Sequence, residues 1–72
     1  MPANLLDTAL VAAHAARDGA EIARLYHQAG DQSADLDAAC FFWTNAYVFA
    51  LEAGIADAEL IRSKLVANGR EV

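Results

Sequence analysis

Two histidines and one cysteine are the side chains of this sequence best suited to metal or nucleophilic chemistry. His14 and His27 are thirteen residues apart, and Cys40 lies in a long apolar segment. A shared metal would need ligand atoms within about 2.1 Å of one ion. We expect His14 on the surface and His27 at the C-terminal end of its helix near Gly30, at different heights of two antiparallel helices. No nucleophile motif surrounds Cys40, which predicts a buried, inert thiol.

Three acidic residues, Asp31, Asp35 and Asp37, cluster near the middle of the chain. Their spacing is superficially that of a calcium loop, but the glycine and the distal bidentate glutamate of such a loop are missing. Carboxylates are stabilised at a helix N-terminus by the helix dipole, so we interpret all three as capping residues. The sequence therefore predicts no metal, no cofactor and no catalytic residue, and a protein that is not an enzyme.

The charge of the chain indicates which partners it disfavours. The formal net charge is −5 and the isoelectric point is near 4.6. Binding a nucleic-acid backbone requires clustered lysine and arginine, whereas the five basic residues here are scattered. We therefore expect no nucleic-acid and no membrane partner. The first ten residues lack a basic n-region, and the single cysteine fits a reducing compartment. These features predict a cytoplasmic protein.

The elements that would position these residues are helices. Eighteen alanines and a single proline favour helix, and no alternating strand pattern competes. We expect helices over about 5–17, 19–29, 34–53 and 56–67 in one domain that covers residues 1–72. Loops of two to four residues make successive helices antiparallel neighbours. The predicted fold is all-α: four short antiparallel helices forming two stacked helical hairpins, as in a TPR-like protein or a small helical bundle.

Helical spacing also predicts the core and the helix ends. The expected core-facing positions are Leu6, Ala9, Leu10, Ala13 and Arg17; Ile22, Leu25, Tyr26 and Ala29; and Leu60, Ile61 and Leu65. Asn4, Asp18 and Ser33 are the expected N-caps of the first three helices, and Gly30 is the expected C-terminal cap of the second. Residues 70–72 are expected to form a frayed tail.

A faint internal repeat is suggested by Gly19 and Gly54, which lie 35 residues apart. A period near 34 residues is typical of tetratricopeptide (TPR) repeats, which are helix–turn–helix units. The segment AACFFWTNAYVFALEAG, residues 38–54, resembles small TPR-like helical proteins of uncharacterised function from proteobacteria. The resemblance covers about residues 36–69. It implies a helical-hairpin architecture and a role in protein–protein interaction.

The third helix is unusual because no charged residue lies between Asp37 and Glu52, and five of the six aromatic residues lie within positions 41–49. A helix that is apolar all round must be buried all round. Three partner helices in so short a chain cover only part of its circumference. We expect one face to be left over, either Cys40-Phe41-Thr44-Val48 or the opposite Phe42-Asn45-Phe49. The uncharged stretch is shorter than the ~20 residues needed to span a membrane.

Such a face predicts an interface, because exposed aromatic residues are favoured anchors of protein contacts. The candidate interface residues are Phe41, Phe42, Trp43, Asn45, Val48 and Phe49. We expect a homodimer or higher oligomer, or docking of another protein, although a well-covered central core helix is an alternative. Asn45 could fix the register across a dimer or bond to Tyr47 or a backbone carbonyl.

The predicted function is a TPR-like interaction module that self-associates through helix 34–53. The alternative is a small regulatory binder holding an apolar ligand or peptide in an aromatic groove near Trp43, Tyr47 and Tyr26.

Overall fold

Four helices account for almost all of the chain that the computed structural model describes, which is the backbone of residues 3–70 and the side chains of residues 5–70. They are α1 (Ala3–Ala15), α2 (Gly19–Gln32), α3 (Leu36–Ala53) and α4 (Asp57–Ala67), and no strand occurs in this part. α2 and α3 pack together most extensively, and α1 and α4 each pack on their chain neighbour. The predicted all-α fold of two helical hairpins is confirmed.

Three of the helices end in the same hydrogen-bonded motif, in which the chain turns through a left-handed residue. After α1 this residue is Arg17 at φ 55°, and the Asp18 N–H donates to the Ala13 carbonyl over 3.0 Å. Gly54 and Gly69 take the same place after α3 and α4. α1 thus ends before Arg17, two residues earlier than predicted. The predicted cap at Asn4 lies outside the described side chains.

The boundary between α2 and α3 differs from the prediction. The Asp18 cap is confirmed, since its carboxylate accepts from the Glu21 N–H over 3.1 Å. However, α2 continues through Gly30 to Gln32. Ser33 ends α2, and its hydroxyl donates to the Ala29 carbonyl rather than capping α3. The N-cap of α3 is Asp35, which accepts from the Ala38 N–H over 2.8 Å.

Two further expectations about glycine and the chain end are wrong. Gly19 begins α2 whereas Gly54 follows the end of α3, so their spacing does not relate equivalent positions of a repeat. Arg70 is not frayed. Its backbone N–H donates to the Leu65 carbonyl and its guanidinium donates to Asp37 over 2.6 Å. Residues 71 and 72 lie outside the described part.

The core consists of two clusters that share Tyr26 and Phe49. One, between α2, α3 and α4, is built on Ala23, Cys40, Ala46, Ala50, Ile61 and Leu65; the other, between α1 and α2, is built on Ala13, Ile22 and Leu25. Most expected core positions are confirmed. The prediction is wrong for Leu60, which is 54% exposed, and for Arg17, which is exposed beyond the end of α1. The buried stripe of α4 follows Ala58, Ile61 and Leu65 at helical spacing, and Leu60 lies about 100° away from it.

The molecule is thin, and this decides how much of α3 is covered. Its Cα atoms extend over 33 × 27 × 13 Å. Packed helices lie about 8–10 Å apart, so a third layer would need about 16–20 Å between outer axes. With at most two layers, α3 is covered by α2 and α4 on one side only. The opposite side of α3 lacks a neighbouring helix within the described chain.

Candidate functional site

The uncovered side of α3 carries a stripe of large apolar side chains. Phe41, Val48 and Leu51 are 62%, 47% and 54% exposed, and Thr44 lies between them. These four residues follow helical spacing, so they form one surface, which we call the outer face. The covered side of α3 carries small residues instead, with Ala39, Cys40, Ala46 and Ala50 all buried. Alanine lets α2 approach closely, and the aromatic residues are displaced to the flanks.

The six residues predicted to form an interface do not share one surface. Phe41 and Val48 lie on the outer face. Phe42 and Phe49 are half-buried toward α2, where their rings stack on Tyr26 at 6.3 and 6.1 Å between centroids. Of the two faces that the sequence left open, the one containing Phe41, Thr44 and Val48 is the exposed one, except that its Cys40 is only 2% exposed.

The other two predicted residues lie at the margins. Trp43 is half-buried and packs against Gly30 of α2. Asn45 borders the outer face, and its side-chain amide donates to the Phe41 carbonyl over 2.9 Å. Thr44 similarly donates to the Cys40 carbonyl over 2.8 Å. Asn45 thus makes the backbone bond that was one of its two predicted roles, without crossing to another helix.

A shallow groove of about 470 Å³ opens beside the outer face. It is lined by Asp37, Cys40, Phe41, Thr44, Asn45 and Arg70. The ion pair between Arg70 and Asp37 lies at one end of it, with both side chains exposed to solvent. Phe41 is therefore bordered by a recess with a polar rim. The predicted aromatic groove near Trp43, Tyr47 and Tyr26 is a different location.

A second constellation, which we call the polar junction, ties three helices together: His27 and Asp31 of α2, Trp43 of α3, and Asp57 and Lys64 of α4. The Lys64 ammonium donates to Asp31 Oδ1 and to His27 Nε2, each over 2.8 Å. It also lies 5.8 Å from the centre of the Trp43 ring, within cation–π range. The Trp43 indole N–H donates to the same Asp31 oxygen over 3.1 Å.

Hydrogen-bond chemistry assigns the His27 tautomer within this junction. An ammonium group has donors only, so His27 Nε2 must accept from Lys64 and is unprotonated. The ring proton is then on Nδ1, which lies 3.8 Å from Asp57 Oδ2. The His27 side chain is only 12% exposed. The histidine that was expected near Gly30 at the C-terminal end of α2 is thus covered by α4.

Asp31 is the acceptor around which the junction is organised. Partial burial by itself would raise the pKa of the Asp31 carboxyl, but the hydrogen bond from Lys64, the positive charge of Lys64 and the hydrogen bond from Trp43 together lower it. A carboxylate in the last turn of a helix opposes the helix dipole, and Lys64 offsets that cost. Asp31 was predicted to cap α3 and instead holds α2, α3 and α4 together.

The residues considered for catalysis are not brought together. His14 is exposed on α1, where its ring meets Phe49 edge-on at 5.8 Å. His27 belongs to the polar junction, and Cys40 is buried as predicted. Within residues 3–70, no three metal-binding side chains converge on one point. The polar junction contains bonded groups with complementary charges, which is the arrangement of a structural contact.

Sequence reasoning missed the polar junction, although one signal was present. Asp57, Ile61 and Lys64 follow helical spacing on α4, so both charged residues lie at the edge of its apolar stripe. A charged residue at such a position needs a partner on the neighbouring helix. The sequence does not specify which partner, since Asp31 and His27 lie 33 and 37 residues from Lys64 along the chain.

The comparisons with known proteins give no relative for this chain: no protein-family model, no curated protein and no solved structure matches it. Among residues 3–70, no helix combines the length and the hydropathy that crossing a bilayer requires.

Proposed function

We propose that this protein is a non-catalytic, TPR-like helical interaction module that self-associates through the outer face of α3. The observation that carries the proposal is the exposure of Phe41, Val48 and Leu51 on one side of residues 38–51, the segment of α3 without charged residues. Scattered apolar side chains are normal on a protein surface, whereas a contiguous patch commonly marks an interface. The TPR-like hairpin pairs supply the scaffold that presents this face.

The small core supports the same proposal. The largest fully buried side chains are Ile61, Leu65 and Cys40, and most other buried positions are alanine or of similar size. A single core in a chain below about 70–80 residues rarely supplies more than 3–5 kcal/mol of stability. Association through the outer face would bury three of the large apolar side chains that the core leaves exposed, Phe41, Val48 and Leu51.

The contribution of Phe41 to such an interface can be worked out roughly. A phenylalanine side chain buries about 200 Å², so 62% exposure leaves about 120 Å² to cover, worth about 3 kcal/mol per copy at 25 cal/mol/Å². Placing a carboxylate there adds a desolvation cost. Phe41→Asp should therefore weaken a two-fold dimer by more than 100-fold.

The experiment is absolute mass by light scattering after size exclusion, at two protein concentrations tenfold apart. We expect a mass at least twice the 7.7 kDa of one chain, reduced to one chain by Phe41→Asp. Val11→Asp is the matched control, because Val11 is 70% exposed on α1, away from the outer face. A folded wild-type monomer at both concentrations, or equal dissociation by both variants, would contradict the proposal.

A second candidate, a small regulatory binder of an apolar ligand or peptide, is favoured by the groove beside Phe41. The groove volume of about 470 Å³ lies within the range of ligand pockets, about 300–1,000 Å³. Amide chemical-shift changes on adding short apolar peptides would then concentrate at Phe41, Thr44 and Asn45. Uniformly small shifts would speak against this candidate.

A cytoplasmic location is part of the proposal. It is supported by the single, buried cysteine, which suits a reducing compartment.

A further inference from the structure

We propose that the Asn68-Gly69 peptide is a site of spontaneous deamidation, and that the C-terminal cap of α4 sets the rate of this reaction. The asparagines of the chain are Asn4, Asn45 and Asn68, and Asn68 is the one followed by glycine. A glycine leaves its backbone nitrogen unshielded by a side chain and lets the backbone adopt the conformation that the reaction needs. Asn68 is also exposed to water. This inference does not depend on the proposed self-association.

Asparagine is chemically labile, and its conversion here requires only water besides the chain itself. The backbone nitrogen of Gly69 loses its proton and attacks the side-chain carbonyl carbon of Asn68. The side-chain nitrogen leaves as ammonia, and a succinimide ring remains. Water then adds to either ring carbonyl, so the ring opens to aspartate or to isoaspartate, in which the backbone runs through the side-chain carbons. Either product adds a negative charge to the protein.

The cap of α4 opposes this reaction while it is closed. The Gly69 N–H donates to the Val66 carbonyl over 3.0 Å, which keeps the proton on the attacking nitrogen. The Asn68 side-chain amide donates to the Lys64 carbonyl over 2.8 Å, which holds it on the helix. Asn68 has ψ 16°, which directs the Gly69 nitrogen away from the Asn68 Cβ atom, whereas ring closure needs the two nearly eclipsed. Deamidation must therefore proceed through an opened cap.

Arg70 is the residue that keeps the cap closed. Its backbone N–H donates to the Leu65 carbonyl over 2.8 Å, and its guanidinium donates to Asp37 of α3 over 2.6 Å. The first contact closes the turn, and the second anchors the turn to another helix. Because chain ends and loops open locally at low free energy, this anchor decides how often Gly69 is free to attack.

Deamidation would in turn release the anchor. A carboxylate at position 68 cannot donate to the Lys64 carbonyl, and it lies at the C-terminal end of α4, where the helix dipole disfavours negative charge. Isoaspartate also lengthens the backbone within the turn, so the register that carries Arg70 to Asp37 is lost. Because this ion pair forms one end of the groove beside Phe41, the modification opens the groove at that end.

The experiment follows the intact mass of the protein during incubation at mildly alkaline pH, with and without unfolding guanidinium chloride. Replacing the amide nitrogen by oxygen raises the mass, and peptide mapping locates the site. We expect conversion at Asn68 in the folded protein, at a rate about tenfold or more below that of the unfolded chain, because opening the cap breaks two backbone hydrogen bonds. Equal rates in the two states, or no conversion in the folded protein, would overturn the proposal.

Asp37→Ala tests the anchor without changing the residues around the reacting peptide. It should raise the rate in the folded protein several-fold and leave the rate in the unfolded chain unchanged. Glu21→Ala is the matched control, because Glu21 is also an acidic residue in the first turn of a helix and also lies near an arginine, Arg24. Its rate should equal that of the wild type. Equal rates for the two folded variants would show that the anchor does not control the reaction.

Arg70→Gln repeats the test from the other side of the ion pair if circular dichroism shows that Asp37→Ala does not fold. The rate in its folded state is then divided by the rate in its unfolded state, which removes any direct effect of position 70 on the chemistry. We expect this ratio to rise above that of the wild type. An unchanged ratio would overturn the proposed control by the cap.

Discussion

Replacing Gly30 with alanine tests the packing of Trp43 on α2, which the sequence did not reveal. A Cβ atom at position 30 would lie 2.4 Å from both Trp43 Cδ1 and Nε1, and 3.0 Å from Cγ. Carbon atoms in favourable contact lie about 3.5–4.0 Å apart, so the indole must move by more than 1 Å. The movement would disturb the hydrogen bond from Trp43 to Asp31 and with it the polar junction.

The expected change in stability is opposite in sign to that of most glycine-to-alanine substitutions within helices. Within a helix, glycine to alanine ordinarily stabilises by about 1 kcal/mol. Here overpacking should cost about 1–3 kcal/mol, and weakening the hydrogen bond to the half-exposed Asp31 should cost up to about 1 kcal/mol more. We expect Gly30→Ala to destabilise the protein by about 1–3 kcal/mol, which is a large part of the stability of so small a domain.

Urea unfolding monitored by circular dichroism and by the fluorescence of the single tryptophan provides the assay, at fixed protein concentration because association would shift the midpoint. Gly19→Ala is the control. Its Cβ would meet only the Ala53 Cβ at 3.8 Å, an ordinary contact, so its stability should be unchanged or slightly higher. If Gly30→Ala proved as stable as the wild type, the close approach of Trp43 to α2 would be refuted.

Two further predictions concern the helix ends and the polar junction. Arg17→Gly should stabilise the protein by about 0.5–1 kcal/mol, because Arg17 adopts a left-handed conformation at φ 55° that glycine adopts without strain. Gly54→Ala should destabilise the protein by about 1 kcal/mol, because Gly54 is at φ 69° although the space around it is open. Equal urea midpoints for the two variants would contradict this account. Asp31→Asn should lower stability at pH 7 by no more than about 1 kcal/mol, since the Asp31 carboxyl is nearly half exposed. Because the pKa of Asp31 is lowered in the folded state, its contribution is present above the ordinary value near 3.9 and lost as pH falls through the lowered one. The difference between wild type and Asp31→Asn should therefore shrink below about pH 4, and a difference that stays constant from pH 7 to pH 2.5 would exclude the charged contact with Lys64.

Helix content and most core positions could be predicted because they depend on local periodicity. Ile22, Leu25, Ile61 and Leu65 lie on apolar stripes, and all four are buried. The helix ends were predicted less well. Gly30 was predicted to be a helix cap because glycine is common at that position, yet it lies within α2. Trp43 of α3 packs so closely against Gly30 that the position requires a residue without a side chain.

The candidate surface was predicted in part. The lack of charged residues between Asp37 and Glu52 indicated that some face of α3 would be uncovered. The interface residues named from this observation included Phe41 and Val48, which are exposed. It also included Phe42, Trp43 and Phe49, which are half-buried against α2. Periodicity could not separate the two groups, because apolar residues point in every direction around α3. The buried direction is set by Ala39, Ala46 and Ala50, whose small size lets α2 approach.

The sequence by itself determined the fold class, the number of helices and the presence of one helix with more apolar surface than a small domain can cover. These properties depend on residues close together in the chain, through helical propensity, capping and spacing. Only the tertiary structure decided which face of α3 is exposed, and that Lys64 joins His27 and Asp31 across more than thirty residues. Contacts of that kind depend on how helices approach each other, which is set jointly by side-chain volume and charge on separate helices.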